Sequence, residues 1–130
     1  MSDERHFTAA HTPIAAVAER LRAFNRERDW EQFHTPKDLA IALSVEAGEL
    51  LEPFLWKRPD DALAREAIEE ELADVLICAI NLSQRLGVDL LAAVERKIAR
   101  NAERYPVSLA RGRADKHDVL REGVEPGGEG

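Results

Sequence analysis

Residues 35–56 read TPKDLAIALSVEAGELLEPFLW, and their punctuation decides the fold class. Thr35 followed by Pro36 is a helix start: the hydroxyl caps free backbone amides, and proline suits the first helical position because its missing N–H would have had no partner there. Asp38 falls at the third helical position, where a carboxylate gives a capping-box-like pattern. Leu39, Leu43, Ala47, Leu50 and Phe54 then recur every three or four residues, a helical stripe running towards Trp56. Pro53 lacks the N–H that would reach the carbonyl of Glu49, so this helix should bend one turn past that residue.

The same signals repeat on either side. Thr12-Pro13 should cap a first helix carrying Ile14, Val17, Leu21 and Phe24 on one face. A third helix is expected from Asp60 or Asp61, after Pro59, to Leu86, with Gly87 as its stop. Asp89 should cap a fourth, with Leu90, Val94 and Ile98 on one face, and Pro106 closes it. No strand-like alternation extends beyond a few residues. The expectation is an all-α chain: a four-helix bundle domain over residues 1–106, then an arm and flexible tail over 107–130. Within that tail, 107–122 reads as a short helix or an arm against a neighbouring subunit, and GVEPGGEG at 123–130 as a disordered end.

Composition agrees with one soluble domain. Apolar residues make up 45% of the 130, charged residues 33% and aromatics 5%, a mixture that favours helices over sheets. A formal charge of −7, with no long run of Lys and Arg, argues against a grip on nucleic-acid polymers. The longest apolar stretch, Val75 to Ile80, is too short to span a bilayer, and MSDERHFTAA lacks a signal-peptide core, so the chain reads as cytoplasmic with no membrane partner. Cys78 stands alone, which excludes an intrachain disulfide framework and suits a small buried residue. Val75–Ile80 and Leu39–Leu43 are each apolar over more than a turn. Such helices need cover on every side, which four short helices cannot supply alone, so a homo-oligomer is expected.

Into these apolar faces the sequence sets carboxylates. Glu46 and Glu49 are three apart on the second helix, and Glu71 and Asp74 three apart on the third. That spacing puts each pair on one face with Cβ atoms ~5–6 Å apart. A single ExxE is usually a solvated face, and Glu66, Glu69 and Glu70 fit that description. Two pairs on successive helices, flanked by Val45, Leu50, Leu72 and Val75, call for a counter-charge instead. Oxygen ligands without ExxH favour a hard cation, Mg²⁺ or Mn²⁺, over zinc or iron. Lys97, Arg100, Asn101 and Arg104 recur at intervals of three and four on the fourth helix. They complement the helix dipole, or they hold an anion opposite the metal. Trp30 lies in a loop where a flat ring could stack on it, and His34, in the loop before Thr35, is within reach of a ligand. Trp56 at a helix end suits a ligand contact, a core plug or a subunit contact.

Two stretches, RDWEQFHTPKDLAIALSVEAGELLEPFLW (28–56) and EEELADVLICAINLSQRLGVDLLAAVERKIARNAERYP (69–106), resemble the all-α nucleoside triphosphate pyrophosphohydrolases of the MazG-like group, nearest to its dCTP pyrophosphatases. The likeness covers roughly residues 14–106. The combination of ExxE, a spacer, ExxD and a KxxxNxxRYP ending is specific. It implies a tetramer built as a dimer of dimers, with Mg²⁺ on Glu46, Glu49, Glu71 and Asp74. It implies hydrolysis of a nucleoside triphosphate, such as dCTP or a modified analogue, to the monophosphate and pyrophosphate. Lys97, Asn101 and Tyr105 match positions that hold phosphates or sugar, with Arg104 nearby, and Trp30 and Trp56 match aromatics of the base pocket. Glu46 or Glu49 would serve as general base. The sequence departs from the dCTP-preferring pattern at Leu21 and Cys78, which stand where those relatives carry His and Tyr. Two other readings fit the scaffold: a phosphoribosyl-ATP pyrophosphohydrolase, and a non-catalytic helical regulatory oligomer.

Overall fold

The computed structural model describes residues 13–122. They form two compact units, divided between Val88 and Asp89. All regular structure among the described residues is helical.

In the first unit, α1 spans Ile14–Glu27, α2 Pro36–Leu51 and α3 Arg65–Leu86; short 3₁₀ turns at Glu31–Phe33 and Glu52–Phe54 follow α1 and α2. α2 packs extensively along α3, and α1 touches α3 more lightly. The caps explain where these helices begin and end. Thr35 Oγ1 accepts the N–H of Asp38 at 3.2 Å, as its sequence position implies. Gly87 closes α3 with φ 67°, a left-handed conformation that costs glycine little. That turn lets the N–H of Val88 reach back to the carbonyl of Ser83 at 2.9 Å.

Three boundaries differ from the sequence expectation. Pro53 does not bend α2. The helix stops at Leu51, and the carbonyl of Glu49 accepts the N–H of Glu52 in a tighter turn. α3 starts at Arg65, not at Asp60 or Asp61. Asp61 is spent on a local turn instead: its Oδ2 accepts the N–H of Arg58 at 2.8 Å, and its own N–H donates to the carbonyl of Arg58 at 3.1 Å. α1 enters through Pro13 without a side-chain cap from that residue. The expected cap at Thr12 and the expected tail at 123–130 lie outside the described residues.

The second unit holds α4 (Leu90–Arg104), α5 (Val107–Ala110) and α6 (His117–Glu122). Asp89 Oδ1 caps α4 by accepting the N–H of Ala92 at 3.0 Å, and Pro106 follows the helix as expected. The arm is therefore two short helices. α5 packs on α6, whose Leu120 is fully buried, and Tyr105 meets His117 edge to face at 5.8 Å.

Leu39 and Ile80 are the fully buried apolar residues described in the first unit. Ile41, Leu72, Leu76 and Ile77 all remain open to solvent, with Leu72 55% exposed. The apolar runs at 39–43 and 75–80 thus cover only part of their surface within one chain. Cys78 is half-buried and not enclosed.

Candidate metal centre and adjoining cavity

The pairing of α2 with α3 converts two sequence spacings into a cluster. Ligand oxygens of Glu46, Glu49 and Glu71 all lie within 4.8 Å of one another. Asp74 stands outside that group of three, but its charge still acts on Glu46 and Glu71. Both of those glutamates are half-buried, and each has one carboxylate oxygen, Oε2, enclosed without a hydrogen-bond partner.

The electrostatics follow from this crowding. Burial raises the pKa of Glu46 above its ordinary value, and the charge of Glu49 raises it further, with smaller contributions from Asp74 and Glu71. Glu71 moves the same way, again by burial first and then by Glu49 and Asp74. The thiol of Cys78, one turn beyond Asp74 on α3, is pushed up by burial and by the charges of Glu46 and Asp74. Among the described residues, the ion pairs join Arg22 to Glu19, Arg28 to Glu27 and Arg113 to Asp115, and none reaches these carboxylates. An orphaned buried carboxylate oxygen is costly, and two of them aimed into one acidic cluster fit a cation. The donor set is all hard oxygen, which suits Mg²⁺ or a related divalent ion.

A cavity of about 580 Å³ lies against α1 and α3. Val17, Leu21, Phe24, Leu76, Ile77 and Ile80 give it apolar walls, and Trp30 closes one side. The volume falls within the ~300–1,000 Å³ of small-ligand pockets. Trp30 is held there by its neighbours: its N–H donates to the carbonyl of Asn25 at 3.0 Å, and its ring meets Phe24 edge to face at 5.5 Å. The guanidinium of Arg28 covers the same Phe24 ring at 3.7 Å. His34 is half-buried and lines the cavity, so both loop residues chosen from sequence meet at one feature. Leu21 is also on its wall.

Other chosen residues are placed elsewhere. Trp56 is 98% exposed with φ 63°, so it is not a plug of its own chain's core. Lys97, Arg100, Asn101 and Arg104 lie on α4 of the second unit, with Tyr105 at its C-terminal end. The carbonyl of Asn101 accepts the N–H of Tyr105 at 2.8 Å, which fixes the backbone of that corner.

Two residues at the cavity escaped the sequence reading. Asn25 of α1 and Asn81 of α3 are both buried, and Asn25 Nδ2 donates to Asn81 Oδ1 at 2.9 Å. A second cavity, of about 190 Å³, shares this pair and His34 and is otherwise lined by Arg22, Glu31, Gln84 and Arg85. The available signal was Asn81 within CAINLS: asparagine is a poor interior helix residue, and among apolar neighbours it needs a partner.

An acidic cluster on paired helices, with a largely apolar cavity against the same α3, is compatible with the class of metal-assisted helical hydrolases. The family model of the MazG-like family matches residues 41–120, and the chain belongs to that family. It is 44% identical over 128 residues to dCTP pyrophosphatase 1 of Mus musculus, covering 92% of this chain and 75% of that one. With dCTP pyrophosphatase 1 of Homo sapiens the identity is 42% over 126 residues, covering 91% and 74% respectively. Among solved structures, a pyrophosphatase from Archaeoglobus fulgidus superposes with a TM-score of 0.67 at 36% identity, covering 74% of this chain and 94% of the other.

Proposed function

We propose that this chain is a Mg²⁺-dependent nucleoside triphosphate pyrophosphohydrolase that acts on dCTP or a close analogue and releases the monophosphate and pyrophosphate. The observation that carries the proposal is the cluster of Glu46, Glu49 and Glu71 within 4.8 Å, with two enclosed oxygens lacking any partner. The dCTP pyrophosphatase relatives favour this reading over a phosphoribosyl-ATP pyrophosphohydrolase. Retention of all four carboxylates disfavours a non-catalytic regulatory oligomer.

Glu46, Glu49, Glu71 and Asp74 would hold the metal, which when bound supplies charge neutralisation for the phosphates and a more acidic water. Glu46 or Glu49 takes the proton as water oxygen bonds to phosphorus and the α–β phosphoanhydride bridge breaks. Trp30 and His34 border the space for the base, and Leu21 and Cys78 leave its selectivity to other residues. Lys97, Asn101, Arg104 and Tyr105 serve the phosphates and sugar as donors.

The exposed apolar side chains Ile41 and Leu72 support assembly as a homotetramer, and exposed Trp56 suits a contact with a neighbouring subunit. No single described helix is long and apolar enough to cross a membrane, and a nucleotide substrate of this kind fits a cytoplasmic location. The catalytic domain in this reading is residues 1–106, which takes in the first unit and α4 of the second, with 107–130 as arm and tail. A panel of NTPs, dNTPs and phosphoribosyl-ATP with Mg²⁺ and a pyrophosphate readout tests the proposal. Pyrophosphate release greatest with dCTP supports it, release only from phosphoribosyl-ATP replaces the substrate, and none from any member removes the activity.

A further inference from the structure

Asn25 and Asn81 are 4% and 9% exposed, face each other across α1 and α3, and share one hydrogen bond of 2.9 Å. Two carboxamides together offer four N–H donors and four acceptor lone pairs, and that bond uses one of each. Among the described residues the Oδ1 of Asn25 and the Nδ2 of Asn81 make no further bond, and neither is among the enclosed atoms without a partner, so both keep access to the space beside them. The pair also borders both cavities. On the larger one it is a polar element in a wall made of Phe24, Trp30, Ile77 and Ile80. Apolar faces with a few fixed polar groups are how pockets orient a flat heterocycle. Through its backbone carbonyl, Asn25 also holds Trp30, so reader and stacking wall are set by one residue.

We infer that the Asn25–Asn81 pair reads the hydrogen-bonding edge of the substrate's nucleobase in this cavity and is a specificity determinant of the enzyme. This rests on the nucleotide reading given above. With Asn25 Nδ2 donating to Asn81 Oδ1, the groups left over are the Oδ1 of Asn25 and the Nδ2 of Asn81. An acceptor and a donor on two residues of one cavity wall can complement a base edge that presents an amino group next to a ring nitrogen, as cytosine does. The pair thereby supplies selectivity where Leu21 and Cys78 offer no such match.

The test compares dCTP with the triphosphate of its 4-deamino analogue, which lacks only the amino group. For the wild-type protein, kcat/KM should fall by roughly 10-fold on deamination, the worth of one well-placed hydrogen bond. In Asn25→Ala/Asn81→Ala the two nucleotides should be hydrolysed within about 2-fold of each other, because the partner of the amino group is gone. A pair that only clamps helices would lower activity on both nucleotides alike and leave their ratio unchanged; that result overturns the inference. So does a wild-type ratio near one. Should the double alanine variant fail to fold by circular dichroism, Asn25→Ser and Asn81→Ser are read by the same ratio. If the wild type hydrolyses nothing, the activity proposal fails separately. The same ratio is then taken by calorimetry with the α,β-imido forms of both nucleotides, and absence of binding, or equal binding, overturns the inference.

Discussion

Along α3, Glu71 and Asn81 both turn polar side chains into partly or fully covered surroundings, and the chain treats them in opposite ways. Asn81 finds Asn25 at 2.9 Å, and one turn on Gln84 Nε2 donates to the carbonyl of Ala18 at 2.9 Å. Glu71 finds Glu46, Glu49 and Asp74, all acidic, and one of its oxygens has no partner at all. The amide end joins α1 to α3 with groups the chain itself supplies. The carboxylate end accumulates charge that the described residues do not balance. One amide–amide bond can therefore hold two helices and still leave groups for a ligand, whereas a cluster of like charges has no partner within itself.

The sharpest way to break this contrast is by turnover. Glu49→Ala or Asp74→Ala should each bring pyrophosphate release down to that of a no-enzyme blank, while far-ultraviolet circular dichroism stays close to wild type. Retained activity in both variants would remove the metal assignment. Chelation of Mg²⁺ should stop hydrolysis to the same extent, and its return should restore it. Mg²⁺ with nucleotide should raise the melting temperature by mass action on the folded state, and an indifferent Tm would count against binding.

The amide end responds in stability. Asn25→Ala leaves the Oδ1 of Asn81 covered and unpaired, which should cost about 1–3 kcal/mol in urea unfolding. Replacing both residues by leucine removes the pair together and should cost less than the two single changes summed. Strict additivity across that cycle would mean that the 2.9 Å bond contributes nothing. As a reference for scale, Thr35→Ala removes the α2 cap and should cost about 1 kcal/mol without altering Mg²⁺ dependence.

Sequence disclosed the two ends unequally, for physical reasons. Carboxylates three apart are a local pattern, so Glu46/Glu49 and Glu71/Asp74 were visible before any fold was known, as were the Thr35, Gly87 and Asp89 helix signals. The expectation of a hard cation likewise rests on residue type alone. Asn25 and Asn81 are fifty-six residues apart, and a pair at that distance has no local signature. The α3 start was misplaced because Asp60 and Asp61 suit a turn as well as an N-cap, and side-chain bonding to Arg58 decided between them. Pro53 signalled a disruption, but its lost bond could bend a helix or end one. Ending it allowed Glu52 to satisfy the carbonyl of Glu49. Trp30 and His34 were selected singly as loop residues, and only the packing of α1 on α3 brought them to a common cavity.

The smallest expected effect is a pH dependence of opposite sign with and without metal. Glu46 and Glu71 have folded-state pKa values above their ordinary 4.5, from burial and like charges. Between 4.5 and those raised values, the folded protein holds protons that the unfolded chain has released. Their contribution is therefore fully present below the ordinary value and is lost as pH rises through the raised one. Chelated protein should melt at a lower temperature as pH rises through this window, by a modest amount because solvent screens a half-covered cluster. Glu71→Gln should flatten that slope, since the glutamine no longer titrates or repels Glu49. Mg²⁺ competes with protons for the same oxygens, so its stabilisation should grow as pH rises. The difference in Tm between Mg²⁺-loaded and chelated protein should consequently widen from about pH 5 to pH 8. Parallel melting curves across that range would mean that proton and metal do not share a site, and the carboxylate end of α3 would then lose its claim to the cation.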